Sequence, residues 1–328
     1  MKVDVLKTYY PGFVSAAIVG LAATFLARNY NAPVMLFALL IGMAFNFLHD
    51  DPRCKVGIDF ASRTVLRLGV ALLGLRITFT QISSLGIAPI ITVMIGVATT
   101  SLFGLWLGRR LGLGSYFGLL SGGAVAICGA SAALAISTSL PRYENKERDT
   151  ALTVVAVTTL STIAMIFYPL LVSALHLSTS EAGIFLGGTI HDVAQVVGAA
   201  YMVSQETGDI STYVKLLRVA ALVPVVVLIS LLLSEGAGTG ERIRRAFPMF
   251  LVGFCVLVVL NSLVALPSEL TSGAATLSSY CLVTAISALG MKTSFRSLVE
   301  VGWKPVGMMV AETLWIAALV LGAIFLLR

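Results

Sequence analysis

Long apolar runs separated by short polar segments recur from one end of the 328-residue chain to the other. A helix of about 20 apolar residues is long enough to cross the hydrocarbon core of a bilayer. Windowed hydropathy predicts nine such helices, over residues 11–27, 32–48, 58–75, 85–107, 151–175, 213–233, 247–266, 274–291 and 305–327. The pattern therefore predicts an all-α polytopic membrane protein, with residues 1–328 forming a single integral membrane domain.

Two further apolar stretches, residues 114–140 and 180–204, are interrupted near the middle by glycines and polar residues. The first contains SGGAVAICGASAA around Cys128, and the second contains LGGTIHDVAQVVGAA around Asp192. Both are typical of broken helices or re-entrant hairpins, which sets the total at nine to eleven transmembrane segments. Hydrocarbon cannot satisfy the polar groups of irregular backbone, so such backbone must be buried in protein or line a wet cavity. The two breaks therefore predict one central site.

The distribution of basic residues favours one of these alternatives. If each broken stretch enters and leaves on the same side, all the strongly basic loops fall on one face, at residues 53–55, 109–110, 142–148, 242–245 and 292–304. Basic loops are normally cytoplasmic. We therefore expect nine full crossings, one hairpin from each face, and a cytoplasmic N-terminus.

Internal repetition supports this arrangement. Residues 73–89 align with residues 289–305 with five identities in seventeen positions, and residues 118–125 share three glycines with residues 183–190. In the expected topology the members of each pair point in opposite directions across the bilayer, as an inverted repeat requires. The predicted fold is thus an inverted-repeat transporter fold, with repeat regions at 55–140 (broken element 114–140) and 180–328 (broken element 180–204).

The composition excludes several classes of protein. Hydrophobic residues make up 58% of the chain and charged residues only 12%, and the mean hydropathy is +0.96, which excludes a soluble domain. The net charge is +6, and the basic residues are in short loops between apolar spans. In a protein that we expect to span a lipid bilayer, this distribution indicates topology, so no nucleic acid partner is expected. The four cysteines lack CxxC spacing, which argues against a metal site. HEXXH and GxSxG motifs are absent, so an intramembrane enzyme is disfavoured.

The first break has the features of an anion site. A half-helix that begins at residues 130–131 would present free N–H groups and the positive end of its dipole, with Ser131 in its first turn. Gly122, Gly123 and Gly129 could shape a cavity from backbone, or could equally allow close packing of helices. Cys128 is interpreted mainly as a small packing residue, although its place in the break makes it a candidate contact for substrate.

The second break brings in ionisable groups. Gly187 and Gly188 with Thr189 predict a flexible entry, and His191 and Gln195 would share a helical face at i, i+4 spacing. Thr189, His191 and Gln195 are therefore candidate substrate-binding residues. Asp192 and His191 are the candidate coupling residues, for H⁺ or Na⁺, because ionisable groups at membrane depth are usually functional. The structural alternative is that Asp192 caps the half-helix that follows it.

Several charged residues lie inside or beside apolar runs. For Arg63, Arg67 and Arg218, attraction of the substrate and structural pairing with Asp59 are equally supported. Lys215 is expected to extend its ammonium group to the membrane interface. Glu312 is expected to pair with a basic residue on a neighbouring helix, with ion coupling as the less favoured alternative.

The segments GGAVAICGASA, GGTIHDVAQVVGAA with the following KLLRVAALVP, and ALGMKTSF with GWKP together resemble the YeiH-type sulfate exporter family of bacterial inner-membrane proteins. The resemblance implies membership of the wider group of cation:proton antiporters and anion transporters. It also implies a mobile core domain that moves against a scaffold.

The expected function is a secondary transporter that exports a small inorganic anion of the sulfite or sulfate type, coupled to H⁺ or Na⁺ and without another cofactor. An anion channel without coupling and a transporter of organic sulfonates or carboxylates remain alternatives. A bacterial inner-membrane location is expected, and a homodimer is left open.

Overall fold

The computed structural model of the chain describes residues 2–30, 33–233, 248–264, 266–293 and 303–327. Within these ranges the protein is all-helical and contains no β-strand. The helices are α1 Lys2–Tyr30, α2 Val34–Ala44, α3 Phe47–Asp50, α4 Pro52–Phe60, α5 Leu66–Leu72, α6 Phe79–Ser84, α7 Ala88–Arg110, α8 Ser115–Ala126, α9 Ala130–Ser139, α10 Lys146–Ala174, α11 Thr179–Thr189, α12 Val193–Val203, α13 Gln205–Ala220, α14 Leu222–Leu233, α15 Met249–Leu263, α16 Ser268–Lys292 and α17 Trp303–Leu326. A π-helical turn, Ala61–Val65, joins α4 to α5.

Six helical stretches of the described residues are long and apolar enough to cross a membrane: Thr8–Tyr30, Ala88–Arg110, Lys146–Ala174, Gln205–Leu233, Ser268–Lys292 and Trp303–Leu326. The spans predicted at 32–48 and 247–266 are shorter helices, α2 and α15. The span predicted at 58–75 is a series of helical segments that begins with α4. The chain is thus a multi-pass helical membrane protein. The count of nine crossings, the inverted repeat, the repeat regions and the orientation of the N-terminus remain predictions. Most of the second copy of the 73–89 repeat lies outside the described residues.

Local sequence fixes where several of these helices begin. Helix α11 starts with a complete capping box, in which Ser178 and Glu181 each bond the other's backbone N–H. Helix α6 has the same device, formed by Thr78 and Gln81. Such boxes satisfy backbone donors that the first turn of a helix leaves without intrahelical partners.

The chain divides into two compact units. The first comprises Met1–Leu85, Val197–Asp209 and Met249–Ser294, and the second comprises Gly86–Val196, Ile210–Pro248 and Phe295–Arg328. Both helix breaks, at residues 127–129 and 190–192, belong to the second unit.

Within the first unit, α2 and α16 cross at a pair of glycines. A methyl group on Gly290 would collide with the carbonyl oxygen of Leu39 and lie 2.9 Å from the Cα of Gly42. A methyl group on Gly42 would in turn lie 3.0 Å from the Cα of Gly290. Small residues at such crossings let helices pack in a membrane, where the hydrophobic effect does not drive their association.

We expect Gly290→Ala to destabilise the protein by about 1 to 3 kcal/mol, because the added methyl group must push two backbones apart. Gly273→Ala on the same helix is the matched control, since nothing lies within 4 Å of the added methyl group. That change should leave stability unchanged or raise it slightly, because alanine is the better helix former. Thermal melting in detergent measures both effects, and equal melting temperatures for the two variants would contradict this account of the crossing.

Candidate functional site

The two helix breaks lie against each other. Helix α8 ends at Ala126 and α9 begins at Ala130, while α11 ends at Thr189 and α12 begins at Val193. Gly129 turns the first break with φ +67°, a backbone conformation that glycine adopts at little cost. A methyl group on Gly129 would lie 3.6 Å from the Cβ of His191, in the second break.

Lys215 of α13 binds both breaks at once. Its side chain is 0% exposed. The ammonium group donates to the carbonyl oxygens of Ile127 at 2.8 Å and Ile190 at 2.9 Å, and also to that of His191. The prediction that Lys215 reaches the membrane interface is therefore wrong, because the unpaired carbonyl groups of the breaks give the ammonium group partners inside the protein.

Arg218, one turn further along α13, makes the same kind of contact. Its Nε donates to the carbonyl oxygen of Ala126 at 2.9 Å, and one terminal nitrogen donates to that of Val125 at 2.6 Å. The other terminal nitrogen donates to Ile190 at 3.0 Å and approaches Gly187 at 3.5 Å. Arg218 thus bonds backbone carbonyl groups at both breaks, which differs from the predicted pairing with Asp59. Attraction of the substrate by Arg218 remains a prediction.

Together these contacts satisfy carbonyl groups at the C-terminal ends of α8 and α11. The C-terminus of a helix carries about half a negative charge on carbonyl groups that have no intrahelical partner. In hydrocarbon such groups would be costly to leave unbonded. Two cations from a single helix bind the ends of both half-helices and hold the breaks together.

His191 is fully buried and its imidazole contacts two other helices. Nδ1 lies 3.1 Å from the carbonyl oxygen of Val125 in α8, and Nε2 lies 3.0 Å from the hydroxyl oxygen of Thr313 in α17. Because the carbonyl oxygen of Val125 can only accept, Nδ1–H is the donor in the first contact. The hydroxyl group of Thr313 also lies 2.8 Å from the carbonyl oxygen of Met309, so its one proton is shared between Met309 and Nε2 of His191. The imidazole therefore links the first break to α17.

Asp192 and Gln195 contact α10 and the start of α12. Asp192 caps α12, because its Oδ1 accepts from the backbone N–H of Ala194 at 2.8 Å. Its own N–H donates to Ser161 of α10 at 3.0 Å. Gln195 is fully buried and its amide nitrogen donates to Thr162 of α10 at 2.7 Å. The expected shared face of His191 and Gln195 is not found, because His191 precedes the helix and its ring turns towards α8 and α17.

Several predicted site residues belong to helices and not to the breaks. Gly122 and Gly123 are in α8, where Gly122 packs on α7: an added methyl group would lie 3.0 Å from the carbonyl oxygen of Thr100. Gly187 belongs to α11, where an added methyl group would meet Val214 at 2.9 Å. The flexible entry predicted at Gly187–Thr189 is therefore helical. Thr189 is buried and its hydroxyl donates to Phe185 in its own helix at 2.6 Å.

The start of α9 is the exposed end of the site. Gly129 occupies its N-cap position and has no side chain that could bond the first turn, and the thiol of Cys128 faces the backbone N–H of Ala132. Cys128 is a buried free thiol, whereas Ala130 is half-buried and Ser131 is exposed. The first N–H groups of a helix have no intrahelical partners. The N-terminus of α9 can therefore offer backbone donors and the Ser131 hydroxyl to a ligand, in contrast to α12, which Asp192 caps.

Four residues around the breaks are not predicted from the sequence to belong to the site: Lys215, Thr313, Ser161 and Thr162. The run TTLST at residues 158–162, inside an apolar span, is a signal that could have indicated a polar contact on α10. Nothing in the sequence pairs Thr313 with His191, since 122 residues separate them.

The fold and the polar groups at membrane depth define a multi-pass helical membrane protein. A family model described as Conserved hypothetical protein 698 matches residues 11–309, and the chain belongs to that family. It is 55% identical to UPF0324 membrane protein CT0845 of Chlorobaculum tepidum over 320 residues, covering 96% of this chain and 89% of that protein. It is 46% identical to UPF0324 membrane protein TauZ of Paracoccus pantotrophus over 326 residues, covering 98% and 96%. No solved structure matches this chain.

Lys215→Met should destabilise the protein by about 3 to 5 kcal/mol, because the change keeps the length of the side chain but removes the ammonium donor from the buried carbonyl groups of Ile127 and His191, while Ile190 keeps Arg218. Lys55→Met is the matched control, since Lys55 is exposed on α4. Thermal melting in detergent should separate the two variants clearly. A melting temperature for Lys215→Met equal to that of the control would show that the breaks do not depend on this ammonium group.

Proposed function

We propose that this protein is a secondary transporter for a small anion and that it acts without catalysis. A transport role is in keeping with its membership of a family whose relatives are named membrane proteins. The observation that carries the proposal is the contact between two broken helices at one buried cluster of charges. Interrupted helices that meet inside a membrane protein are the usual setting of a transporter's substrate site.

The balance of charge at the breaks favours an anion. Each helix end contributes roughly half a charge, so the two C-termini and two N-termini of the half-helices nearly cancel. The two positive side chains, Lys215 and Arg218, and the one carboxylate, Asp192, then give the breaks a net charge of about +1. Because both cations are bound to backbone carbonyl groups, the donors left for a ligand are those at the start of α9.

The proposed binding site is therefore the N-terminus of α9, with Ser131 in its first turn. Backbone N–H groups and a hydroxyl group suit an oxyanion, because its several oxygens can accept from neighbouring donors at once. The resemblance to the YeiH-type sulfate exporters supports a sulfite- or sulfate-type ion as the substrate. It also supports efflux across the bacterial inner membrane, coupled to H⁺ or Na⁺. In this proposal His191 positions the breaks, and Asp192 orders the start of α12.

Ser131→Asp tests the site. A carboxylate in the first turn favours the helix electrostatically but repels a bound anion. We expect the variant to keep its melting temperature and to bind sulfite at least about tenfold more weakly, a difference of about 1.4 kcal/mol. Ser84→Asp, which adds the same charge at an exposed position on α6, should bind sulfite as the unchanged protein does.

The measurement is the shift in melting temperature with sulfite, sulfate, thiosulfate, an organic sulfonate and a carboxylate, since a ligand that binds only the folded state raises its apparent stability. Absence of a shift with every anion, or equal shifts in the two aspartate variants, would contradict the proposed site. Flux of the anion in proteoliposomes without dependence on an H⁺ or Na⁺ gradient would instead support a channel.

A further inference from the structure

Glu312 is a buried carboxyl group that the site described above does not use. It lies in the middle of α17 and is 0% exposed. Its Oε1 accepts from the hydroxyl group of Ser121 in α8 at 2.8 Å, while its Oε2 has no hydrogen-bond partner among the described residues. The expected partner was a basic side chain, and the structure provides a neutral hydroxyl group instead.

The space for this carboxyl group comes from a glycine on α7. A methyl group on Gly104 would lie 2.6 Å from Oε1 of Glu312 and 2.6 Å from the Cα of Gly122. Thr100, one helical turn before Gly104, is also fully buried, and its hydroxyl group has no partner within the described part of the chain. The carboxyl group therefore sits in a close helix crossing lined by small and neutral groups.

The helices packed against α17 carry their charges in their first or last turns. The only charged residues of helix α7 are Arg109 and Arg110, in its last turn, and the only titratable residue of α8 is Tyr116, at its start. Helix α11 has Glu181 in its first turn. Helix α10 has residues 146–149 in its first turn, and further along only Tyr168, whose ring packs on Phe185.

A carboxylate buried without a cation is costly, because low-dielectric surroundings do not replace its hydration. The protonated acid avoids that cost. Glu312 is thus a group whose proton can leave only if its surroundings change, for example by admitting water or a cation.

The position of Glu312 connects it to the helix breaks. The next residue, Thr313, contacts Nε2 of His191, and Nδ1 of His191 contacts Val125 at the end of α8. Ser121, the partner of Glu312, lies one helical turn before Val125 on the same helix. Glu312 and Thr313 are adjacent on α17. Glu312 thus contacts α8, which ends at the first break, and Thr313 contacts His191 in the second break.

We propose that Glu312 is the proton-binding site through which H⁺ is coupled to movement of the helix breaks. It holds a proton in the arrangement described here and releases it when the crossing of α7, α8 and α17 opens. This inference rests on the proposed transport function and assigns H⁺ as the coupling ion. By contrast, both ring nitrogens of His191 already have protein partners, and Oδ1 of Asp192 caps α12.

Infrared spectroscopy of the purified protein tests protonation without any substrate. At neutral pH we expect a carbonyl band of a protonated carboxyl group that is lost in Glu312→Gln. It should be retained in Glu269→Gln, which changes an exposed acid on α16. Glutamine has nearly the shape of the protonated acid and can still accept from Ser121, so the variant should fold. An unchanged band in Glu312→Gln would overturn the proposal.

Transport in proteoliposomes tests coupling. We expect sulfite flux through the unchanged protein to respond to a pH gradient, and flux through Glu312→Gln to persist but to lose that response. A normal response in Glu312→Gln, or none in the unchanged protein while sulfite is transported, would overturn the proposal and leave anion transport standing. If no anion is transported at all, the proposed function fails, and the proposed coupling site fails with it even if the infrared band identifies Glu312 as protonated.

Discussion

The structure around the candidate site depends on two buried cations that bind the backbone of two broken helices. A helix that stops inside a membrane leaves carbonyl groups that lipid cannot satisfy. Lys215 and Arg218, one turn apart on α13, supply donors to the last turns of both α8 and α11. Because each cation contacts both half-helices, the breaks are fixed to each other as well as stabilised. The same contacts place two positive charges beside the breaks, and an ion bound there would experience their electric field.

Glycine and small residues determine how closely the surrounding helices approach. Gly104 and Gly122 bring α7 and α8 together, and Gly104 also leaves room for the carboxyl group of Glu312. Gly42 and Gly290 serve the same purpose in the other compact unit, between α2 and α16. In a membrane, helices gain stability mainly from such close contact and from hydrogen bonds, since apolar side chains can contact lipid equally well. Replacing these glycines therefore affects backbone positions directly.

Part of this arrangement could be predicted from the sequence. The breaks at residues 127–129 and 190–192 follow from glycines and polar residues in otherwise apolar runs. Asp192 caps the N-terminus of α12, which is the structural alternative predicted for it from the sequence. The helical conformation of Gly187 and Gly188 could not be predicted, because glycine permits both a flexible turn and a close helix contact. Nor could the burial of Lys215 be predicted, because local sequence does not reveal that unpaired carbonyl groups from distant helices surround it.

The sequence by itself determined the class of the protein, because apolar length and charge content depend on no contact between distant residues. It also determined where regular helices begin and fail, through local propensity and capping. Only the tertiary structure decided which polar groups meet: His191 with Thr313, Glu312 with Ser121, and Lys215 with two separate breaks. Inside a membrane an unpaired polar group is costly, and the partners of these three side chains come from segments far apart in the chain. The chemistry of the site is therefore set by helix packing.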